Sequence, residues 1–390
     1  MRRNLLIATV LARSESHPII LMIAGAREAA TFSMPAGVDC VTLPAFGKQT
    51  NGQYRARSLA LSLNNLAALR SNTIRATLES FQPDVLIVDK VPLGAFQELK
   101  PGLALLRARG RTRCVLGLRD VLDDPVVAHR EWRRGQSDAA ICNYYDAVWV
   151  YGDPTVYDPV REYGFSHATA VKVRYTGYLD RRTKNGTLAG KDSDLLAELE
   201  LPPGRLVLCM VGGGQDGYRL ATAFARTKLP PDTNGVIVTG PFMPPAAQQS
   251  LHRIADTHPR LRVVEFTTEP ERLLRLADRV VAMGGYNTVC ELLSFEKRTL
   301  IVPRVLPRRE QLIRAERLRE LGLLDMLHPD DLTPEALAEW LTHGDRPPAG
   351  TGNRIDFEGL TRLPHLLADL LATPCPAEAT RHLSDCQEER

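Results

Sequence analysis

The residues best placed to do chemistry sit in two glycine turns. The first follows the apolar run 206–211 and reads Gly212-Gly213-Gly214-Gln215-Asp216-Gly217 before a helical stretch opens at Tyr218. The second follows the run 279–283 and reads Gly284-Gly285-Tyr286-Asn287-Thr288, with Glu291 three residues on. A strand, a glycine turn and a helix start together form an anion site. Small residues let the backbone approach a phosphate, and the free N–H groups of the first helical turn point at it. Gly212, Gly214 and Gly217 also satisfy the spacing of a dinucleotide fingerprint. However, the next strand ends Val238-Thr239-Gly240-Pro241, without the acid that would hold a ribose in that fingerprint. A tight turn of purely structural purpose is the competing reading.

In the second turn Thr288 and Glu291 share a helix face, so both can meet one ligand, and a carboxylate there can accept two hydrogen bonds from a ribose diol. The same pair also fits a capping box, Thr-x-x-Glu, which would need no ligand. Farther on, a Pro- and Arg-rich loop, 303–309, leads to Glu310-Gln311 at a helix start. These side chains can accept hydrogen bonds from sugar hydroxyls, or simply complement the helix dipole. Three carboxylates are candidates for a general base: Asp89 at the end of the apolar run 85–88, and Asp120 and Asp124 in an Arg-Asp loop. Ends of parallel strands are where such sheets bind ligands. For Asp120 an ion pair with Arg119 is the plainer alternative, and His129 reads as a helix-surface residue.

These residues need elements to hold them. Short apolar runs at 19–23, 38–43, 85–89, 113–118, 147–151 and 171–175 alternate with helical stretches, the longest at about 54–80. The rhythm resumes with runs at 206–211, 235–239, 261–266, 279–283 and 299–302. Strands alternating with helices predict an α/β fold with parallel sheets covered on both faces. The domain reading is an N-terminal unit at 1–180, a polar linker at 181–204 with a short helix at 193–200, a second unit at 205–372 and a tail at 373–390. A helix capped by Asn4 opens the chain; a short signal peptide is the rival reading of the same residues.

The 390 residues are 44% hydrophobic and carry a net charge of +3. That is enough apolar material for two cores and too little charge to argue for nucleic acid. Arginines cluster at Arg2-Arg3, 107–113 and 304–319; solvated faces, phosphate and anionic lipid are all compatible with them. Seven widely spaced cysteines form no CxxC pair, which argues against a zinc site or disulfide framework and favours a reducing, cytoplasmic setting. No apolar run reaches the roughly 18 residues of a spanning helix.

Taken together, Gly284-Gly285-Tyr286-Asn287-Thr288 with Glu291, then Pro303-Arg304, Glu310-Gln311 and Arg314-Ala315, resemble the donor domain of glycosyltransferase family 28, which includes the N-acetylglucosaminyltransferase that forms lipid II. Uncharacterised bacterial members also carry segments like Leu118-Arg119-Asp120-Val121-Leu122-Asp123-Asp124-Pro125, Val148-Trp149-Val150-Tyr151-Gly152-Asp153 and Tyr175-Thr176-Gly177-Tyr178-Leu179. The resemblance implies a GT-B fold, two Rossmann-like domains facing a cleft. It implies an inverting, metal-independent transfer of sugar from a nucleotide-diphosphate donor, a UDP sugar, with no cofactor. The acceptor is open between a lipid-linked and a small-molecule hydroxyl, with peripheral contact at the inner face of a membrane. By position Glu291 would hold the ribose, Gly285 to Thr288 the diphosphate, Glu310 and Gln311 the sugar, and Phe266 and Thr267 the base; Gly284 would belong to the same donor site, and Gly212, Gly213 and Gly214 would line the cleft. A nucleotide-sugar hydrolase or epimerase, and a relative that only binds, are the alternatives. Relatives read Gly-x-Gly-His-x-Arg-Arg-Asn where this sequence reads Met1-Arg2-Arg3-Asn4. The resemblance therefore implies a first strand and a Gly-His loop upstream, about 15–20 residues, without which two strands of a doubly wound sheet keep unpaired edges.

Overall fold

A computed structural model describes residues 2–372 apart from 26–28, 30–31, 49–53, 183–194, 266, 268–269 and 344–353. The first half contains α1 (Arg2–Ala12), β1 (Ile20–Ala24), β2 (Val38–Thr42), β3 (Phe46–Lys48), β4 (Tyr54–Ala56), α2 (Leu63–Phe81), β5 (Val85–Asp89), α3 (Lys100–Arg109), β6 (Arg113–Arg119), α4 (Pro125–Arg134), α5 (Ser137–Tyr144), β7 (Ala147–Tyr151), α6 (Pro159–Glu162), α7 (His167–Ala170) and β8 (Val173–Tyr175). The rest contains α8 (Leu195–Glu198), β9 (Arg205–Met210), α9 (Tyr218–Ala225), β10 (Thr233–Val238), α10 (Pro245–Ala255), β11 (Leu261–Val264), α11 (Pro270–Leu276), β12 (Arg279–Ala282), α12 (Tyr286–Ser294), β13 (Arg298–Ile301), α13 (Glu310–Glu320), β14 (Asp325–Met326), α14 (Pro334–Thr342) and α15 (Gly359–Ala372).

The second half is built on one parallel sheet in the order β11-β10-β9-β12-β13-β14. β9, β10 and β12 are almost wholly buried, as near-continuous apolar runs in a sheet covered on both faces must be. The chain steps outward from β9 through β10 to β11, then returns to the other side of β9 with β12. That reversal puts the topological switch point between β9 and β12, the place where open α/β sheets bind ligands.

The first half is divided. β5, β6, β7 and β8 make one parallel sheet, and β1 and β2 make another. Among the described residues β1 pairs only with β2 and β5 only with β6 on this side, so each keeps a free edge where the sequence reading expects one. Helix α2 starts later than the sequence reading has it. Ser62 caps it by accepting from the Asn65 N–H, and 54–56 pairs instead as an antiparallel hairpin with 46–48. Helix α1 starts at Arg2, so Asn4 lies inside it and is not its cap; the Asn4 amide reaches toward Asp89 instead, at 3.5 Å.

The halves share a core. Leu6, Ile7 and Leu11 of α1, Trp149 of β7, Leu206 and Leu208 of β9, Tyr286 of α12 and Leu363 of α15 belong to one buried cluster. Helix α15 returns over the first half: Asp356 N–H donates to Asp153, Tyr178 N–H donates to the Asp356 carbonyl, and the Arg362 guanidinium donates to the Thr176 carbonyl. The tail from 373 lies outside the described residues.

Candidate functional site

Both glycine turns lie at the switch point, one at the end of β9 and one at the end of its neighbour β12. Gly212 has φ +64 and Gly214 φ +88, in the left-handed region that favours glycine. A Cβ on Gly214 would overlap the Thr239 carbonyl, whereas a Cβ on Gly212 would meet nothing within 4 Å. Gly214 is therefore glycine because the loop packs closely on the turn after β10. Gly212 is glycine because of its backbone angle, and the side where a Cβ would stand is open. Gly217 supplies the N-cap of α9 without any side-chain cap.

The second turn is arranged differently from a capping box. Helix α12 begins at Tyr286 with Gly285 as N-cap, and no side chain caps it. Thr288 and Glu291 sit inside the helix, so the first-turn N–H groups are left for a ligand. The Glu291 carboxylate is 2% exposed. Burial raises its pKa, and the nearby Arg181 guanidinium pulls it back down. Arg181 belongs to the segment read as linker, yet it is docked: its N–H donates to Ser294 Oγ, and its Nη1 lies 3.7 Å from Glu291 Oε1. Three acceptors on these two helices have no hydrogen-bond donor: Glu291 Oε1, Asn287 Oδ1 and Glu310 Oε2.

Glu310 opens α13 and pairs with Arg304, which also holds Asp216 at 3.0 Å. Arg304 thus ties the first glycine loop to α13. Gln311 Oε1 accepts from the Arg304 N–H at 3.1 Å, so its amide oxygen shapes the loop before it can touch a sugar. Thr267 gives its carbonyl to Arg2 at 2.8 Å, which brings the start of the chain across to the end of β11. Phe266 lies outside the described residues.

The three base candidates part company. Asp120 is fully buried and binds Arg314 through two hydrogen bonds, at 2.6 and 2.8 Å, while also accepting from the Tyr178 hydroxyl. It is an ion-pair partner across the cleft, not a base with room for a substrate, and its partner is Arg314, not the neighbouring Arg119. Asp124 caps α4 by accepting from the Val126 N–H and pairs with Arg309, so it too is committed. Asp89 remains. It ends β5, pairs with Arg3 and keeps 35% of its side chain exposed. Arg3 in turn lies 5.5 Å from the centre of the Tyr286 ring, which brings Asp89 toward the start of α12.

The arginine run before and within α13 does most of the joining. Arg308 pairs with Asp123 and Glu131, Arg309 with Asp124 and Arg314 with Asp120, so a basic segment of the second half closes on an acidic loop of the first. The sequence reading assigned these arginines to solvent, phosphate or lipid. The signal for pairing was there in the three acids of 120–124, but nothing local matched the two segments.

Lys90, beside Asp89, is poor in acid partners. Burial, then the cations Arg119 and Arg308, push its pKa down to about 8, against the weaker pull of Glu310 and Glu131. An anion bound nearby favours the protonated lysine. The affinity for the UDP donor that the resemblance implies should therefore decline as pH rises above about 8, approaching tenfold per unit, and Lys90→Met should flatten the profile. Equal slopes for the two proteins in calorimetric titrations from pH 7 to 9.5 would remove Lys90 from the site.

With known protein families, residues 208–353 match the glycosyltransferase family 28 C-terminal domain. A Streptococcus equi relative named UDP-N-acetylglucosamine–N-acetylmuramyl-(pentapeptide) pyrophosphoryl-undecaprenol N-acetylglucosamine transferase is 29% identical over 170 residues, 42% of this chain and 44% of that protein. A Streptococcus pneumoniae protein of the same name is 40% identical over 83 residues, 20% of this chain and 24% of that one. The chain thus spans between a quarter and a half of the length of the curated relatives it matches. Solved structures resemble both halves. The glycotransferase of kitacinnamycin superposes with a TM-score of 0.55 at 18% identity, covering 97% of this chain and 94% of that one. Anabaena HepE, in complex with UDP and glucose, gives 0.56 at 14%, covering 92% and 100%. The fold is GT-B, and the family 28 match falls in its second half.

Proposed function

We propose that this protein transfers a sugar from a UDP sugar to an acceptor hydroxyl, with inversion and without a metal ion. The observation that carries the reading is the trio of unsatisfied acceptors, Glu291 Oε1, Asn287 Oδ1 and Glu310 Oε2, beside two uncapped helix starts at the switch point. A buried acceptor without a donor costs about 1–3 kcal/mol, and ribose and sugar hydroxyls supply donors. The free N–H groups at the starts of α9 and α12 meet the diphosphate and stabilise the charge that grows on it as the nucleotide leaves. Asp89, the one exposed carboxylate of the three candidates, takes the acceptor proton. The family match and the named chemistry of the streptococcal relatives support the donor and favour a lipid-linked acceptor. The contact with lipid would be peripheral, at the inner face of a membrane; no helix of the described residues is long and apolar enough to cross one.

The test follows UDP release. Release should require an acceptor and persist in excess EDTA, and Asp89→Asn should abolish it while UDP still binds. Release without acceptor would make the protein a hydrolase, and donor interconversion an epimerase. Loss in EDTA that Mg²⁺ or Mn²⁺ restores would overturn the helix-dipole account.

The role of Glu291 is tested separately. Glu291→Gln keeps the shape and removes the charge, and UDP affinity should fall by about 10- to 100-fold, the value of hydrogen bonds to a charged group. A loss of stability with unchanged UDP affinity would mean that Glu291 serves only as the buried partner of Arg181.

A further inference from the structure

Among the described residues two cations of the cleft, Arg119 and Lys90, pair with no carboxylate. Arg119 ends β6 and Lys90 follows β5 directly. The two strands run parallel with Asp89 opposite Gly117, and the Lys90 N–H donates to the Gly117 carbonyl at 2.8 Å. Both side chains therefore start from the C-terminal ends of neighbouring strands, the end at which such sheets bind ligands.

The arginines beside them are taken. Arg3 pairs with Asp89, Arg308 with Asp123 and Glu131, Arg309 with Asp124 and Arg314 with Asp120. Asp120 is the neighbour of Arg119 in sequence, yet it serves Arg314. Arg119 Nε is sealed from water without an acceptor. A largely buried cation is costly unless something of opposite charge meets it. Burial, then Arg3, lowers the Arg119 pKa, against the pull of Asp89; burial, then Arg119 itself, lowers that of Lys90. The space between two such cations favours an anion.

The groups within electrostatic reach say where that space opens. Tyr286, the first residue of α12, acts on Arg119, and Glu310, which opens α13, acts on Lys90. Helix α12 starts on Gly285 without a side-chain cap, so its free N–H groups and the two cations approach one region from opposite halves.

We propose that Arg119 and Lys90 form the first-half side of the diphosphate site, and that Arg119 is a catalytic residue touching the phosphate that departs. The proposal rests on the reading of the protein as a UDP-sugar transferase. As the acceptor oxygen bonds to the anomeric carbon, the bond from that carbon to the phosphate oxygen breaks, its electron pair stays on the diphosphate, and the acceptor proton passes to Asp89. The charge that grows on the leaving group meets a guanidinium and an ammonium already in place. The helix starts belong to the second half and the cations to the first, so the leaving group is held from both sides only while the halves are closed.

UDP and uridine, each titrated by calorimetry into the full-length parent protein and into Arg119→Gln, provide the test. UDP affinity should fall by about 10- to 100-fold, the value of hydrogen bonds to a charged group, while uridine affinity stays the same. Turnover should fall by about 100-fold or more with the acceptor KM unchanged. Arg119→Lys should recover part of the loss, since it returns the charge without the planar fork. Stability in urea should hold or rise, because the removed cation strands no partner. Equal UDP affinity in the two proteins would overturn the proposal. So would an equal loss for uridine together with lower stability, the mark of a structural role, or a loss confined to the acceptor KM. Failure of the parent protein to bind UDP would overturn the donor reading, and the proposal with it.

Discussion

Asp120→Ala is expected to cost about 3–5 kcal/mol of stability, the penalty for stranding one partner of a buried ion pair. The pair is 1% and 0% exposed, and Arg314 has no water to fall back on. Although burial opposes the charged guanidinium, the Asp120 carboxylate overrides it and raises the Arg314 pKa. Removing Asp120 also deprives the Tyr178 hydroxyl of its acceptor. Urea denaturation of Asp120→Ala, Arg314→Leu and the double variant is the measurement. The double variant should recover a substantial part of the loss, because two residues in direct contact are not additive. Were Asp120 the catalytic base, its removal would abolish turnover with a stability change below about 1 kcal/mol, and the clasp assigned to it would be wrong.

Gly214→Ala should weaken UDP binding by at least 10- to 100-fold and also destabilise the fold. An alanine at φ +88 costs about 1–2 kcal/mol in backbone strain alone. Its methyl would also displace the loop from the Thr239 carbonyl. The displacement reaches Asp216, then Arg304, then Glu310, since these three are joined in series. Gly212→Ala provides the contrast. Its methyl meets no protein atom, so stability should change by only about 1 kcal/mol, yet UDP affinity should fall if, as proposed, the diphosphate approaches this open side. Equal UDP affinity in Gly212→Ala and the parent protein would move the diphosphate away from this turn.

The long strands were legible because their runs are apolar throughout: 85–89 and 147–151 match β5 and β7 to the residue. The hairpin of 46–48 and 54–56 was not, since Phe-Gly-Lys and Tyr-Arg-Ala carry no alternation and are stabilised only by each other. The first glycine turn was legible because Gly212 and Gly214 take φ values that other residues avoid. Thr-x-x-Glu misleads in the second turn: the spacing of Thr288 and Glu291 fits a capping box, but helix α12 starts two residues earlier, at Tyr286. The clasp was illegible for a different reason. Asp120 and Arg314 are separated by 194 positions, and no local pattern in either segment names the other.

Arg314 does more than join the halves. The same guanidinium that grips Asp120 donates through Nη1 to the Gly284 carbonyl at 2.9 Å, in the turn that leads into α12. The contact between halves and the shape of the second glycine turn therefore share one side chain. Linkage makes such sharing reciprocal: a ligand on the first half that strengthens the Asp120 contact must tighten nucleotide binding on the second by the same factor by which nucleotide tightens its own. Order of binding would then be a kinetic matter only. The two substrates would be cooperative at equilibrium, with Arg314 as the group through which the coupling free energy passes.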